Sequence, residues 1–425
     1  MIMKNKTRPK GSLIAALDLG SSKIACFVGR VTDDYGATEI IGIGHQASRG
    51  IKSGTIIDPE AAEGAIRAAV HAAENMAADV IHGFPLRDVI VNLPGNHAAS
   101  HMVQVDIQIL GHEVTNGDVG RALNKAQDFA LKPDTELVHT IPTRYAIDGH
   151  DGIRDPRGMY GQELRVNTHL VTGTLSALKN LSSCIERSYL DVQAVCLSSY
   201  AAGLSSLVDD EMDLGATVID MGGGVTSFAV FQGGALQYAD AVAVGGMHVT
   251  NDIARGLTTS TTAAERIKTL YGSAMATSSD DHELIDVPPL GEEDMQGQPN
   301  HVPRSLLVGI IQPRLEETLE LVRAKMNDSG LGPLIGRRVV LTGGACQLPG
   351  LRELTQLILN KQVRIGRPIR VAGLAEAASG PAFSTTAGLL AYATTRTHEM
   401  PRMVAAEASA MPIMERVKIW LKENW

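Results

Sequence analysis

Three segments place an acidic or hydroxyl residue and glycines at the end of an apolar run, which is the composition of a phosphate-binding turn. The first is Asp18-Leu19-Gly20-Ser21-Ser22-Lys23, after Leu13 to Leu17. The second is Asp220-Met221-Gly222-Gly223-Gly224, after Ala216 to Ile219, and the third is Thr342-Gly343-Gly344-Ala345, after Val339 to Leu341. Glycine lets a backbone approach a phosphate closely, and consecutive N–H groups form an anion nest. Asp18 and Asp220 end their strands where a carboxylate can hold Mg²⁺ through water, because Mg²⁺ takes few carboxylates and keeps most of its water shell. Three glycines in a row lose backbone entropy without a packing gain, so a ligand explains Gly222 to Gly224 better than packing does. At the third turn, Gly343 and Gly344 let a flat base and ribose lie against the chain. Glu265 and Lys268 are i,i+3 neighbours on one helical face, placed to meet ribose hydroxyls and an adenine edge. Each feature alone has a plain alternative: a hairpin, a strand–helix turn, a surface ion pair.

The elements that must position these turns are legible. Leu13–Gly20, Ile24–Val31 and Ile40–Gly44 read as a β-meander. Asp58-Pro59-Glu60 starts a helix to about Ala78, with Asp58 as cap and Pro59 at the first position. Asp88 to Gly95 is a further strand and turn. Thr115 caps a helix running to about Leu131. Strands follow at 137–147 and 166–171, so residues 89–167 read as a small α+β insertion. Leu175 to Tyr189 is a helix, Val192 to Leu197 a strand and Tyr200 to Val208 a helix. Leu306 to Met326 is a long helix, and Ser384 to Ala393 a helix opened by Ser and Thr. Residues 275–303, polar with four prolines, read as a surface excursion.

The chain has 425 residues, room for several compact units. Its hydrophobic content of 44% fits a folded protein, and with only 4% aromatics the core must be aliphatic. A net charge of −9 argues against a nucleic-acid partner, which needs a basic face. Lys4, Lys6, Arg8 and Lys10 form a short basic tail. The four cysteines make no C-x-x-C pair, so a reduced, cytosolic setting without structural zinc is expected. His97 and His101 have no evident third partner for a metal. No apolar run reaches the ~18–20 residues of a membrane span.

The last fourteen residues form a separate pattern. With Pro412 at the first position, Ile413, Met414, Val417, Trp420, Leu421 and Trp425 fall within an arc of roughly 140° of a helix. Glu415, Arg416, Lys418, Lys422 and Glu423 lie opposite. At about 21 Å such a helix is too short to span a bilayer, and it suits lying in an anionic membrane interface. A helix docked on the protein's own core or on a partner is the rival reading, and residues 396–411, read as a linker, favour a detached tail.

In this order and spacing the motifs resemble the actin/Hsp70/sugar-kinase ATPase superfamily. Asp18–Lys23 and Asp220–Gly224 look like its two phosphate motifs, Thr342–Ala345 like its adenosine motif, and Val192–Val208 and Ser384–Ala393 like its connecting segments. Glu265-Arg266-x-Lys268 is similar to the ribose–adenine helix of bacterial actins. The match narrows to the FtsA family of bacterial actin-like division proteins. It is carried by Ser48-Arg49-Gly50-Ile51-x-x-Gly54, Gly95-Asn96-His97, Ile141-Pro142-x-x-Tyr145-Ala146-Ile147-Asp148, Gly245-Gly246 with Thr250-x-Asp252-Ile253-Ala254, and Val363-Arg364-Ile365-Gly366-x-Pro368.

The resemblance covers residues 12–425 and implies an α/β, bilobed actin-like (ribonuclease H-like) fold. It divides the chain into subdomain 1A (11–88, completed by 168–197 and 367–395), inserted subdomain 1C (89–167), 2A (198–245, completed by 303–366) and 2B (246–302). A linker (396–411) and a membrane-binding amphipathic helix (412–425) follow. It further implies ATP and Mg²⁺ in the cleft, self-association into filaments, and tethering of the tubulin-like protein FtsZ, with other division proteins. The expected place is the cytoplasmic face of the inner membrane at the septum, with the FtsZ contact near 246–302.

One departure concerns catalysis. Strong ATPases of this superfamily orient the attacking water with a Gln or Glu near the first connecting segment. Here Val195 to Tyr200 holds no acid or amide, and Gln193 lies earlier in the strand. Slow hydrolysis or none is therefore expected. Three rivals stand beside the family reading. A related pilus-assembly protein is opposed by the amphipathic tail. A sugar kinase lacks a candidate catalytic acid, and an Hsp70-like chaperone lacks a β-rich domain after the ATPase.

Overall fold

The computed structural model describes residues 8–129, 132–290, 300–332, 336–396 and 399. The first strands are β1 (Leu13–Leu19), β2 (Lys23–Val31) and β3 (Thr38–Ala47), an antiparallel meander as the sequence suggests. Helix α1 (Pro59–Met76) follows, with the Asp58 carboxylate accepting from the Ala61 N–H at 3.1 Å. Next come β4 (Asp88–Leu93), β5 (Ala98–Gln108), α2 (Asn116–Gln127), β6 (Thr135–Ile147), β7 (His150–Ile153), β8 (Glu163–Thr174), α3 (Leu175–Arg187) and β9 (Asp191–Leu197). Thr115 and Asp118 form a capping box at α2. Helix α4 (Ser198–Ser206) leads to β10 (Ala216–Met221), β11 (Thr226–Gln232) and β12 (Ala235–Val242). Helices α5 (Gly246–Gly256), α6 (Thr261–Tyr271) and α7 (Arg304–Asp328) precede β13 (Arg338–Thr342), α8 (Leu351–Leu359), β14 (Gln362–Ile365), β15 (Val371–Ala372) and α9 (Ser384–Thr395).

Two sheets repeat one plan. The first has the order β9-β4-β1-β2-β3-β15, and the second β14-β13-β10-β11-β12. In each, an antiparallel meander is extended on its first strand by two parallel strands. Both faces of the first sheet are covered, so β1 and β2 read as unbroken apolar runs rather than alternating ones. Ala15, Leu17, Leu19, Ile24, Cys26 and Val28 pack with Ile66 and Ala69 of α1. Ile14, Ala16, Ala25 and Phe27 pack with Tyr200 and Ala201 of α4 and Leu389 and Leu390 of α9. Helices α4 and α9 thus lie between the two sheets and share their core.

A four-stranded antiparallel sheet, β5-β8-β6-β7, carries α2 on one face over Val105, Leu164 and Val166. It is bound to the second sheet as well: Ser100 Oγ donates to the Ala239 carbonyl at 2.7 Å and accepts from the Ala239 N–H at 3.0 Å.

The boundaries of this insertion differ from those read in the sequence. Residues 88–93 are not part of it: β4 sits between β1 and β9 in the first sheet, and Val89, Ile90 and Val91 are fully buried there. The insertion's sheet begins at Ala98 and runs to Thr174, because β8 continues without a break past residue 167. Glu399, within the stretch read as a linker from residue 396, is buried. Within 275–303, Leu284–Val287 pairs with Asn300–Pro303 as a two-stranded ribbon. The amphipathic segment 412–425, with Ile413, Met414, Val417, Trp420, Leu421 and Trp425, lies outside the described residues.

Candidate functional site

The C-terminal ends of β1 and β10 bring the first two glycine turns face to face. Each turn closes in the same way: Gly20 N–H donates to the Lys23 carbonyl at 3.1 Å, and Gly222 N–H to the Val225 carbonyl at 2.9 Å. The turns nearly touch. A Cβ on Gly224 would lie 2.7 Å from Ser21 Oγ and 2.7 Å from Ser53 Cα, so this approach requires glycine. The third turn closes the same cleft: Gly343 has φ +86°, and a Cβ there would lie 2.4 Å from Asp220 Oδ1.

Of the residues singled out in the sequence, Asp18, Gly20, Ser21, Ser22, Lys23, Asp220, Gly222, Gly223, Gly224, Gly343 and Gly344 line one cleft. Glu265, Lys268 and Ala345 stand beside it. Lys268 Nζ donates to Glu265 at 2.6 Å, Thr250 Oγ1 at 2.8 Å and the Gly246 carbonyl at 3.2 Å. Gly246 in turn faces Ala345.

Other lining residues were not expected. Asn92 and Ser198 come from the ends of the parallel strands β4 and β9, and Thr385 from α9. Their only sequence signal is position: Asn92 near the end of a buried strand, Ser198 just after one, and Thr385 in a helix opened by hydroxyls. Thr386 Oγ1 donates to Asp18 at 3.1 Å, and Thr385 Oγ1 to Asp220 at 3.0 Å. Consecutive residues of one helix therefore hold one carboxylate from each lobe.

The electrostatics follow from this enclosure. Burial pushes the Asp18 carboxyl above its ordinary range, against the pull of Lys23 and the Thr386 hydroxyl. Asp220 is pushed up to about 6, by burial first and then by the charge of Asp18. Lys23 is lowered by burial, partly offset by both carboxylates. Its ammonium donates to the Ala382 carbonyl and stands 4.0 Å over the Phe383 ring. Two carboxylates facing one ammonium leave an excess negative charge that a divalent cation would neutralise. The N–H groups of Ser21, Ser22, Gly223 and Gly224 meet no protein acceptor among the described residues. Free donors beside paired carboxylates fit a metal-bound polyphosphate: donors for the phosphate oxygens, carboxylates for the water shell of Mg²⁺.

The structure places the amides nearest the first connecting segment. Gln193 is exposed on β9, where its carbonyl oxygen accepts from Arg8 Nη2 at 2.5 Å. Among the cleft-lining residues the carboxylates are Asp18 and Asp220, and the amide is Asn92. Asn92 Oδ1 accepts from the Leu19 N–H at 2.7 Å and its Nδ2 donates to Ser198 Oγ at 3.2 Å.

Two sheets of one plan, meeting at glycine turns over two connecting helices, define an actin-like protein. The solved structures agree. The PilM–PilN type IV pilus biogenesis complex matches at TM-score 0.63 and 16% identity, covering 90% of this chain and 99% of that one. MreB5 of Spiroplasma citri bound to ADP matches at TM-score 0.54 and 13% identity, covering 90% and 97%. Sequence comparison is narrower. The model of the cell division protein FtsA matches residues 217–388, and that of the SHS2 domain inserted in FtsA matches 95–172. The cell division protein FtsA of Rhizobium meliloti (strain 1021) is 44% identical, over 98% of this chain and 96% of its own. Those of Pseudomonas aeruginosa and Escherichia coli K12 are 35% and 32% identical, over 98% and 97% of this chain and 99% and 98% of theirs. The chain belongs to the FtsA family, and it is an actin-like cell division protein.

Proposed function

We propose that this chain binds ATP with Mg²⁺ between its lobes and tethers FtsZ filaments to the cytoplasmic face of the membrane at the division site. The observation that carries the nucleotide half is the convergence of two aspartate-headed glycine turns on Lys23. In this reading the N–H groups of Ser21, Ser22, Gly223 and Gly224, with Lys23, hold the phosphates. Asp18 and Asp220, steadied by Thr386 and Thr385, hold the hydrated metal. Mg²⁺ would supply neutralisation of the phosphate charge. Gly343, Gly344 and Ala345 face the adenosine, with Glu265 and Lys268 at its ribose edge. The MreB5 structure matched above is described as bound to ADP, which supports the same ligand class here.

The tethering half rests on family membership and on the amphipathic pattern of residues 412–425. Apolar Ile413, Met414, Val417, Trp420, Leu421 and Trp425 enter the interface, and Lys418 and Lys422 meet anionic headgroups. Filament formation, FtsZ binding through residues 246–302 and recruitment of further division proteins complete the reading. Its subdomains are 1A, 1C, 2A and 2B, with 1C at the SHS2 match over 95–172.

The test is co-sedimentation with anionic liposomes in ATP and Mg²⁺, wild type beside Trp420→Glu, with FtsZ added in a second arm. Wild type is expected to pellet with lipid and carry FtsZ down, and the mutant to stay in the supernatant. A wild type that ignores lipid overturns the tether.

A further inference from the structure

One helix, α4, joins hydrogen bonds that border the cleft to a separate one at the root of the C-terminal segment. Leu19 N–H donates to Asn92, Asn92 to Ser198 Oγ, and Ser198 Oγ to the Leu93 carbonyl at 3.0 Å. Ser198 opens α4 and lines the cleft. Two residues on, about 200° around the helix at roughly 100° per residue, Tyr200 faces away from Ser198. Its hydroxyl donates to Glu399 Oε2 at 2.6 Å. Arg396 donates to the other carboxylate oxygen at 3.4 Å and to the Gly234 carbonyl at 3.1 Å. Beyond Glu399 the sequence continues into residues 412–425, to which the membrane contact is assigned above.

A carboxylate that is only 2% exposed needs a reason. A buried ion pair adds little net stability, because desolvation offsets the attraction; a defined geometry is its better-attested use. Tyr200 is itself 1% exposed. Burial first, and the Glu399 charge second, push its pKa well above the ordinary phenol range, so the hydroxyl keeps its proton and remains a donor. The helix carrying it has little freedom to slide. Gly388 of α9 lies against Ala201 so closely that a Cβ would meet the Ala201 carbonyl at 1.7 Å. The Tyr200 ring also stands edge-on to His139 and Tyr392, at 5.3 and 6.0 Å between centroids.

We infer that Tyr200 and Glu399 form a latch that couples the cleft to the root of the C-terminal segment. A nucleotide that holds Asn92 and Ser198 in place holds the first turn of α4, and the Tyr200 hydroxyl then pins the chain at residue 399. The inference rests on the proposed nucleotide binding and adds its regulatory consequence. Linkage makes the effect reciprocal: a variant without the latch binds nucleotide more weakly.

The experiment is hydrogen–deuterium exchange on the full chain, with and without ATP and Mg²⁺. It compares wild type, Tyr200→Phe, Glu399→Ala and Glu399→Gln, and a parallel titration measures ATP affinity. In wild type, ATP is expected to slow exchange at 396–399 as well as at 20–23. Tyr200→Phe and Glu399→Ala should keep the slowing at 20–23, lose it at 396–399, and bind ATP on the order of five- to tenfold more weakly. Glu399→Gln keeps an acceptor for the phenol and should retain the coupling. Should Tyr200→Phe fail to fold, Glu399→Ala against Glu399→Gln carries the comparison. Wild-type exchange at 396–399 that ignores bound ATP overturns the latch alone. A wild type that binds no ATP removes the proposed function and the latch together.

Discussion

Asp18 and Asp220 hold the same place in two matching turns, and they take their hydrogen bonds from adjacent residues of one helix, Thr386 and Thr385. One carboxylate belongs to each sheet, so α9 fixes the relation between the lobes at the point where a metal-bound phosphate would sit.

Asp220→Asn tests the metal role. The substitution is nearly isosteric and removes one of two crowded negative charges. In Mg²⁺ the ATP affinity is expected to fall at least about tenfold, equivalent to about 1.4 kcal/mol. With the metal chelated, calorimetry should find the two proteins alike or the variant the tighter binder. Equal Mg²⁺ dependence in both would exclude Asp220 from the metal's shell.

Gly343→Ala tests the third turn. The new Cβ combines φ +86° with contacts of 2.4 Å to Asp220 Oδ1 and 2.5 Å to the Met221 carbonyl. Urea unfolding should show a loss of about 1–3 kcal/mol, and nucleotide binding should weaken beyond detection. An alanine variant that binds normally would mean that the turn carries no close contact.

Gly388→Ala tests the crossing of α4 and α9. With the Ala201 carbonyl 1.7 Å from the added carbon, the helices must separate. The expected cost is about 3 kcal/mol or more, at the upper end for overpacking. Because both lobes share this core, thermal unfolding should shift as one transition rather than split into two.

His139 gives a pH prediction. Its Nε2 accepts from the Leu197 N–H at 3.0 Å, so the neutral ring carries its proton on Nδ1, facing the Tyr392 hydroxyl at 3.1 Å. Burial, and secondarily the neighbouring His169, push its pKa down to about 3. An unfolded histidine takes its proton near pH 6.5. Between those values the unfolded chain binds more protons, so stability is full above about 6.5 and is lost as pH falls towards 3. His139→Gln should remove up to about 1.4 kcal/mol per pH unit of that slope, read from urea unfolding at several pH values between 4 and 7.

Single-turnover hydrolysis should be slow. Asn92 is committed through both ends of its amide, and Gln193 faces Arg8. Fast ATP cleavage would mean that Asp18, Asp220 or a backbone group positions the water.

Much of this was legible in the sequence because it is local. A strand ending in Asp and glycines announces its own turn, and Asp58 and Thr115 announce their helices. Asn92, Ser198, Thr385 and Thr386 were not singled out, since what makes them important is a partner 73 to 368 residues away. The limits of the insertion were misread for a related reason. Val89, Ile90 and Val91 suit any buried strand, and only pairing with β1 and β9 assigns them to the first sheet. Burial of Glu399 was equally hidden, because a lone glutamate in a polar stretch reads as solvated until Tyr200 is found above it.

The two-way bond between Ser100 and Ala239 has a mechanical consequence. The insertion leaves and re-enters the chain in the first lobe, yet it grips the second lobe's edge strand. Any opening of the lobes must shear that joint. A partner that pulls on the insertion would therefore load the hinge directly, and force could enter the cleft from outside without a messenger.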